Sequence, residues 1–224
     1  MSKPYAKPVA QRRSRVTRDK LMAALERLLT QKDFDQIAIS DLASEAGVAV
    51  GTVYRRFENK EALIPLLFDL WMARSQEQTK HARVEADQLD PANLRPLLRQ
   101  QIRAAYRFAG QQAHILRAVY LYGRLRPDLI GDEWKALWGQ ARDGTVNFLR
   151  IVIPGLTEQD LGERAEMLVY LSNTALVEKA IFGDDGAGFV VSAEGDAFAD
   201  AIADAIYGYL TLGREYDEEA GTRR

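Results

Sequence analysis

Between positions 50 and 60 the chain concentrates side chains suited to gripping an anion. They are the hydroxyls of Thr52 and Tyr54, the guanidiniums of Arg55 and Arg56, and the ammonium of Lys60. A guanidinium fork can clamp a phosphate or chelate the edge of a guanine, while a hydroxyl or an ammonium can hold a phosphate oxygen. Val53 and Phe57, one helical turn apart, demand a dry face beneath them. Val50 and Gly51 are small enough to let the same helix approach a groove closely, and Val50 suits a thymine methyl.

Those side chains need a scaffold, and the preceding residues supply its pattern. Leu21, Leu25, Leu28 and Leu29 recur on one helix face, which places a first helix from about Thr17 to Thr30 with Ser14 or Thr17 as its N-cap. Phe34, Ile37 and Ile39 follow in a connecting segment. Ser40 is the expected cap of a short second helix with Asp41 near its positive end and Leu42, Ala43 and Ala46 inside. Gly47 should end that helix in the left-handed conformation, and a third helix should run from about Val50 to Phe57. Two short helices joined by a glycine turn, the second carrying the anion-binding groups, read as a helix-turn-helix with its second helix directed at DNA. Asn59 caps a fourth helix with Leu63, Leu66, Leu67, Leu70 and Trp71. Pro65 falls inside it and should remove a hydrogen bond and bend it.

The ordered set Ala46, Gly47, Val48, Gly51, Thr52, Val53, Tyr54, Phe57, Lys60, Glu61 and Leu63, with Ile39, Leu42 and Ala43 before it, resembles the DNA-binding head of the TetR family of transcriptional regulators. The resemblance covers about residues 15 to 63. It implies phosphate contacts from Thr52, Tyr54 and Lys60, and base or groove contacts from Val50, Gly51 and Arg55. Two positions depart from the pattern: Ala49 replaces the usual serine or threonine before the third helix, and Arg56 replaces a common histidine. These departures bear on which operator is read. Thr17 is a further candidate phosphate contact, or simply a cap.

Charge supports the same division. Residues 1–60 carry 12 Lys/Arg against 7 Asp/Glu, net +5, whereas residues 61–224 carry 18 against 25, net −7. A basic head on an acidic body concentrates positive potential where a polyanion docks. The basic leader (Lys3, Lys7, Arg12, Arg13, Arg15 and Arg18) is equally readable as a DNA-tracking arm or a solubilising tail. With no cysteine, disulfides and thiolate ligands are excluded, which fits a reducing compartment. No run of eighteen apolar residues argues for a membrane span, and the basic N-terminus lacks the apolar core of a secretory signal.

Beyond residue 80 the pattern stays helical. Asp90-Pro91 opens a helix that Gly110 breaks, another runs to Tyr122, and a long one extends from about Asp132 to Val152. Thr157 with Asp160 resembles a capping box at the head of a helix to Phe182. A glycine-rich link (Gly183, Gly186, Gly188) precedes the last helix, about Asp196 to Leu212.

The last two long helices are apolar almost all round, which calls for burial on both sides. Leu168, Leu171, Ala175, Phe198, Ile202, Ile206 and Tyr209 are therefore candidates for a two-fold interface, and the family resemblance implies such a four-helix dimer. It also implies an effector pocket among the aromatics of the middle helices, with Trp71, Phe108, Tyr120, Trp134, Trp138 and Asn173 as candidate lining. Plain core packing is the alternative for each of them. His81 and His114 do not form a metal motif by spacing, and Asp184 and Asp185 read as a solvated turn. No metal, cofactor or catalytic constellation is expected.

The expected organisation is all-α: a basic, disordered leader over 1–14, a helix-turn-helix domain over 15–60, a helical effector-binding and dimerisation domain over 61–213, and a flexible tail over 214–224. The expected role is a cytoplasmic, homodimeric repressor that binds a palindromic double-stranded operator and is released by a small, mostly apolar effector. Two alternatives stay open: a dimeric DNA-binding module without ligand response, and an enzyme using the body pocket.

Overall fold

The computed structural model describes residues 6–86, 93–183 and 191–221, with side chains described at 15–78, 80, 93–183 and 191–211. The described chain is helical with no strand: α1 (Ala6–Leu29), α2 (Ile39–Glu45), α3 (Val50–Tyr54), α4 (Ile64–Ala86), α5 (Leu94–Gln111), α6 (Ala113–Leu125), α7 (Pro127–Val152), α8 (Glu158–Phe182) and α9 (Gly195–Gly221). Short 3-10 turns at Phe34–Gln36 and Glu61–Leu63 precede α2 and α4. His81, Asp90, Pro91, Asp184, Asp185, Gly186 and Gly188 lie outside the described residues in side chain, backbone or both. The same is true of the side chains of the leader before Arg15.

The chain forms two compact units, and each draws on two stretches of sequence. The first comprises residues 1–73 and 114–131, and the second 74–113 and 132–224. The first unit, here the head unit, closes around Leu21, Leu25, Leu42, Val53, Leu63 and Leu67. Ile115, Leu116 and Val119 of α6 are equally buried there. A fully buried leucine contributes about 1.5–3 kcal/mol through lost contact with water, so these leucines dominate the head's stability. The second unit, the body, buries Leu98 and Ile102 of α5, Leu149 of α7, Leu168 and Leu176 of α8, and Phe198, Ile206 and Leu210 of α9 in one cluster.

Several helix ends differ from expectation, each for a local reason. α1 starts at Ala6, so Ser14 and Thr17 lie within it and do not cap it. α2 is preceded by Ala38, not Ser40. The Ala38 N–H donates to the Asp41 carboxylate at 3.3 Å, so Asp41 caps from inside the helix. α4 begins at Ile64, which puts Pro65 in the first turn, where a missing N–H costs no helical bond. The expected bend at Pro65 therefore has no cause. α5 continues through Gly110 to Gln111, and α6 reaches Leu125. α7 starts at Pro127, before Asp132, and is broken at Ile130, whose φ of −147° is non-helical. The capping box at α8 is present: the Asp160 N–H donates to Thr157 Oγ1 at 3.1 Å, and the Thr157 N–H to Asp160 Oδ2 at 3.3 Å.

A charged seam between α5 and α9 was not foreseen. Arg95, Arg99, Arg103 and Arg107 stand four residues apart on α5, as do Asp196, Asp200 and Asp204 on α9. Arg95 and Arg99 both fork onto Asp204 through Nε and Nη2, at 2.5–3.0 Å. Arg103 forks onto Asp200 at 2.5–2.6 Å, and Arg107 Nη2 reaches both oxygens of Asp196 at 2.7–2.9 Å. Hydrogen bonds from Arg95 and Arg99 hold the Asp204 carboxyl well below the usual carboxylate range, and Arg103 lowers Asp200 likewise. The seam fixes the register of α9 against α5.

Candidate nucleic-acid interface

The turn between α2 and α3 is set by hydrogen bonds that only one backbone shape allows. Gly47 has φ +64°, the Gly47 N–H donates to Ser44 O at 3.1 Å, and the Val48 N–H donates to Ala43 O at 2.9 Å. This pair of bonds is a Schellman closure, which satisfies the last carbonyls of α2 and redirects the chain. A Cβ at Gly47 would meet nothing within 4 Å, so the need for glycine there is conformational and not steric.

α3 then presents two faces. Val53 is fully buried and Phe57 half-buried, while Val50, Gly51, Tyr54 and Arg55 are exposed. Thr52 and Arg56 are half-buried. Arg55 Nη2 donates to Thr52 Oγ1 at 3.2 Å, joining a guanidinium and a hydroxyl on the outer face. Tyr54, at 57% exposure, extends a phenol from the same helix. Gly51 is helical, and a Cβ there would meet no atom within 4 Å. Nothing inside the protein requires glycine at 51.

One feature departs from the sequence reading, at Lys60, and one follows it, at Ala49. Lys60 was expected to point at phosphate, yet its ammonium donates to Phe34 O and Asp35 O, each at 3.0 Å, and lies 5.0 Å from the Phe34 ring centre. Its carbonyl partners lie 25 and 26 residues earlier, so no local pattern could reveal them. Ala49, with φ −70° and ψ 144°, occupies the N-cap of α3 and offers no side-chain bond. Serine at this cap commonly stabilises a helix by about 1 kcal/mol over alanine. Ala49→Ser should raise the midpoint of urea unfolding of the head by a corresponding amount, and an unchanged midpoint would show that α3 is not limited by its cap.

Around α3 the scaffold is tied by charge. Arg27 Nε of α1 donates to Glu45 Oε1 of α2 at 2.6 Å, and Lys32 Nζ to Asp41 Oδ2 at 2.5 Å. The Lys32 bond holds the Asp41 carboxyl below its ordinary range. α6 closes the far side of this unit. Arg117 Nη1 donates to Asp33 Oδ1 at 3.1 Å, the Tyr122 hydroxyl donates to Asp35 Oδ1, and Tyr122 packs edge-on against Phe34 with ring centres 5.0 Å apart. Partial burial and the Asp35 carboxylate both push the Tyr122 phenol above its usual pKa, so it stays a proton donor. His114, half-buried, faces Glu26 at 3.5 Å.

Residues 21–66 match the family model described as bacterial regulatory proteins, tetR family. These residues form a tetR-family head. Two curated relatives are similar over part of the chain: the uncharacterized HTH-type transcriptional regulator YvdT of Bacillus subtilis, 33% identical over 70 residues, and the uncharacterized HTH-type transcriptional regulator MT1294 of Mycobacterium tuberculosis, 40% identical over 52 residues. The matches span 31% and 23% of this chain and 36% and 26% of those proteins, so each covers well under half of either protein. Two solved structures are similar over far more of the chain. A TetR-like transcriptional regulator from Rhodococcus sp. RHA1 has a TM-score of 0.59 at 18% identity, covering 87% of this chain and 95% of its own. A putative TetR-family regulator from Mesorhizobium loti also scores 0.59, at 20% identity, over 88% and 96%. At such identity the shared property is the fold, a tetR-family head followed by a helical body.

The other singled-out residues scatter over both units. Trp71 packs on Phe68 with ring centres 5.9 Å apart, and Tyr120 accepts a hydrogen bond from Arg124. Trp134 and Trp138 stack on each other, and Phe108 is half-buried in α5. None of the five lines the body cavities described here; Asn173 does. It lines a cavity of about 340 Å3 among α5, α7 and α8, with Gln101, Thr145, Phe148 and Ser172. Of the interface candidates, Leu168, Phe198 and Ile206 are buried in the body's own core. Leu171 and Tyr209 are exposed at 42% and 38%, and Ala175 and Ile202 are half-buried. Leu171, Ala175, Phe198 and Ile202 border a groove of about 280 Å3 along α8 and α9.

Proposed function

We propose that this chain is a DNA-binding transcriptional regulator that acts in the cytoplasm as a homodimeric repressor and is released from its operator by a small, mostly apolar effector. The carrying observation is the outer face of α3. Past a glycine turn that fixes its angle, the helix exposes Val50, Gly51, Tyr54 and Arg55, with Thr52 bonded to Arg55, while Val53 anchors it from below. Positively charged and hydroxyl donors beside a bare Gly51 suit entry into a major groove.

Exposed Met167, Tyr170 and Leu171 on α8, with Tyr209 on α9, support a second copy as partner, since monomers seldom leave such an apolar row uncovered. Two copies related by a two-fold axis would address a palindrome. The body cavity supports an effector, which must favour a conformation with displaced heads and thereby weaken DNA binding by the same coupling free energy. Among the described residues, no helix is long and apolar enough to cross a membrane.

The test is selection of duplexes from a random pool at physiological salt, followed by titration of the recovered site. A palindrome is expected. Recovery of no preferred sequence would remove the operator reading. Gly51→Ala sharpens the test by separating folding from recognition. Alanine is the better helix former by about 1 kcal/mol, so thermal stability should hold or rise. Operator affinity should nevertheless fall at least severalfold, because the new methyl stands where the groove must approach. Unchanged affinity would mean that Gly51 does not face DNA.

A further inference from the structure

The body cavity bordered by α5, α7 and α8 has a chemical signature that narrows what it accepts. Leu98, Ile102, Phe148 and Leu176 supply an apolar wall, and four polar residues interrupt it: Gln101, Thr145, Ser172 and Asn173. No Asp, Glu, Lys, Arg or His lines it. The charges nearest in sequence are committed elsewhere: Arg99 and Arg103 to the α9 aspartates, and Arg142 to Glu166 at 2.8 Å. An ionised ligand entering there would lose its hydration without gaining a counter-charge.

The hydroxyls are more specific still. Thr145 Oγ1 lies 2.9 Å from Ala141 O, and Ser172 Oγ lies 2.6 Å from Leu168 O, both one helical turn back. A carbonyl oxygen can only accept, so each hydroxyl proton is spent on its own helix. What remains for the cavity is the oxygen lone pairs. Thr145 stands on α7 and Ser172 on α8, so two helices present acceptors to one space. The amide groups of Gln101 and Asn173 have no hydrogen bond to another described residue and can adapt to either role.

We infer that this cavity is a site for a neutral ligand with an alkyl or aromatic body and an O–H or N–H donor, such as an alcohol, phenol or primary amide. It excludes carboxylates and ammonium ions of the same shape. The inference rests on the effector reading only for its consequence on DNA; the binding preference stands on the lining itself.

The experiment is calorimetric titration of the full chain with four probes of matched length: n-octanol, octyl methyl ether, octanoate and n-octylamine. n-Octanol should bind, and the ether, which keeps the oxygen but lacks the donor, should bind roughly tenfold more weakly, the scale of one lost hydrogen bond. Neither ion should give measurable heat. Equal affinity for alcohol and ether, tighter binding of either ion, or no binding by any probe would overturn the inference. Thr145→Val with Ser172→Ala should erase the preference for alcohol over ether while leaving the unfolding temperature near that of the parent. A preference that survives in the folded variant also overturns it, and the four-probe series on the unmodified protein decides the matter even if the variant fails to fold. DNA release is read separately with the selected operator. Octanol binding without release would leave the acceptor-lined site standing and dispose of the effector role.

Discussion

Leu42→Ala should abolish operator binding while sparing the body. Leu42 is fully buried, and it and Ala43 are the buried residues within α2. Truncating a buried leucine typically costs about 2–5 kcal/mol, from lost transfer energy and the cavity left behind. α2 has seven residues and leans on the Arg27–Glu45 and Lys32–Asp41 pairs, which are half-exposed and contribute little in water. The loss is therefore a large fraction of the roughly 5–15 kcal/mol expected of a whole domain, and the α2–Gly47–α3 angle should loosen first. Hydrogen exchange would report it: amides of α2 and α3 should exchange much faster, with those of α5, α8 and α9 unchanged. Uniform acceleration across both units would show instead that head and body unfold as one.

Asp204→Asn should give the largest loss of thermal stability of any substitution along the α5–α9 seam. It is the rung where two arginines fork onto one carboxylate, so neutralising it removes the anion that Arg95 and Arg99 share and leaves Arg99 only the weaker influence of Asp200. Asp196→Asn, opposite the more exposed Arg107, should do less. The pH dependence has a definite sign. The folded carboxyl of Asp204 titrates below its unfolded counterpart, so its contribution is complete above the ordinary carboxylate pKa of about 4 and disappears as pH falls through the depressed folded value. The gap in unfolding temperature between parent and variant should thus be widest near neutrality and close in strong acid. A gap independent of pH would mean that asparagine disturbs packing and not charge.

What could be foreseen divides along the range of the interactions. The Gly47 turn, the Thr157–Asp160 cap and the Asn59 bond to the Ala62 N–H at 2.9 Å are contacts between residues three to five apart, and residue type alone announces them. Val53 inside and Tyr54 outside follow from helical spacing. Lys60 escaped because its carbonyl partners belong to a distant turn. Pro65 was misjudged because a boundary error of a few residues turns a helix breaker into a helix starter. The seam was half legible: arginines at 95, 99, 103 and 107 and aspartates at 196, 200 and 204 repeat at one helical turn, yet only the fold says that the two rows meet. Among the cavity candidates, aromatic abundance pointed to Trp71, Trp134 and Trp138, whereas the space is lined by aliphatic side chains with two amides, Gln101 and the foreseen Asn173, two hydroxyls and one phenylalanine. Large rings fill volume, and a cavity persists where they are few.

The composition of the head unit has a practical consequence for anyone exchanging heads between regulators. Because that unit is assembled from residues 1–73 and 114–131, no single cut in the chain liberates it. A graft taken at residue 73 would leave behind the α6 side chains that close on the head, including the arginine and the tyrosine that hold Asp33 and Asp35. Phe34 would lose its aromatic neighbour, and the turn whose carbonyls anchor Lys60 would lose its cover. Transplanted reading heads of this kind must travel with a segment encoded forty residues downstream of the splice, or they will arrive incomplete.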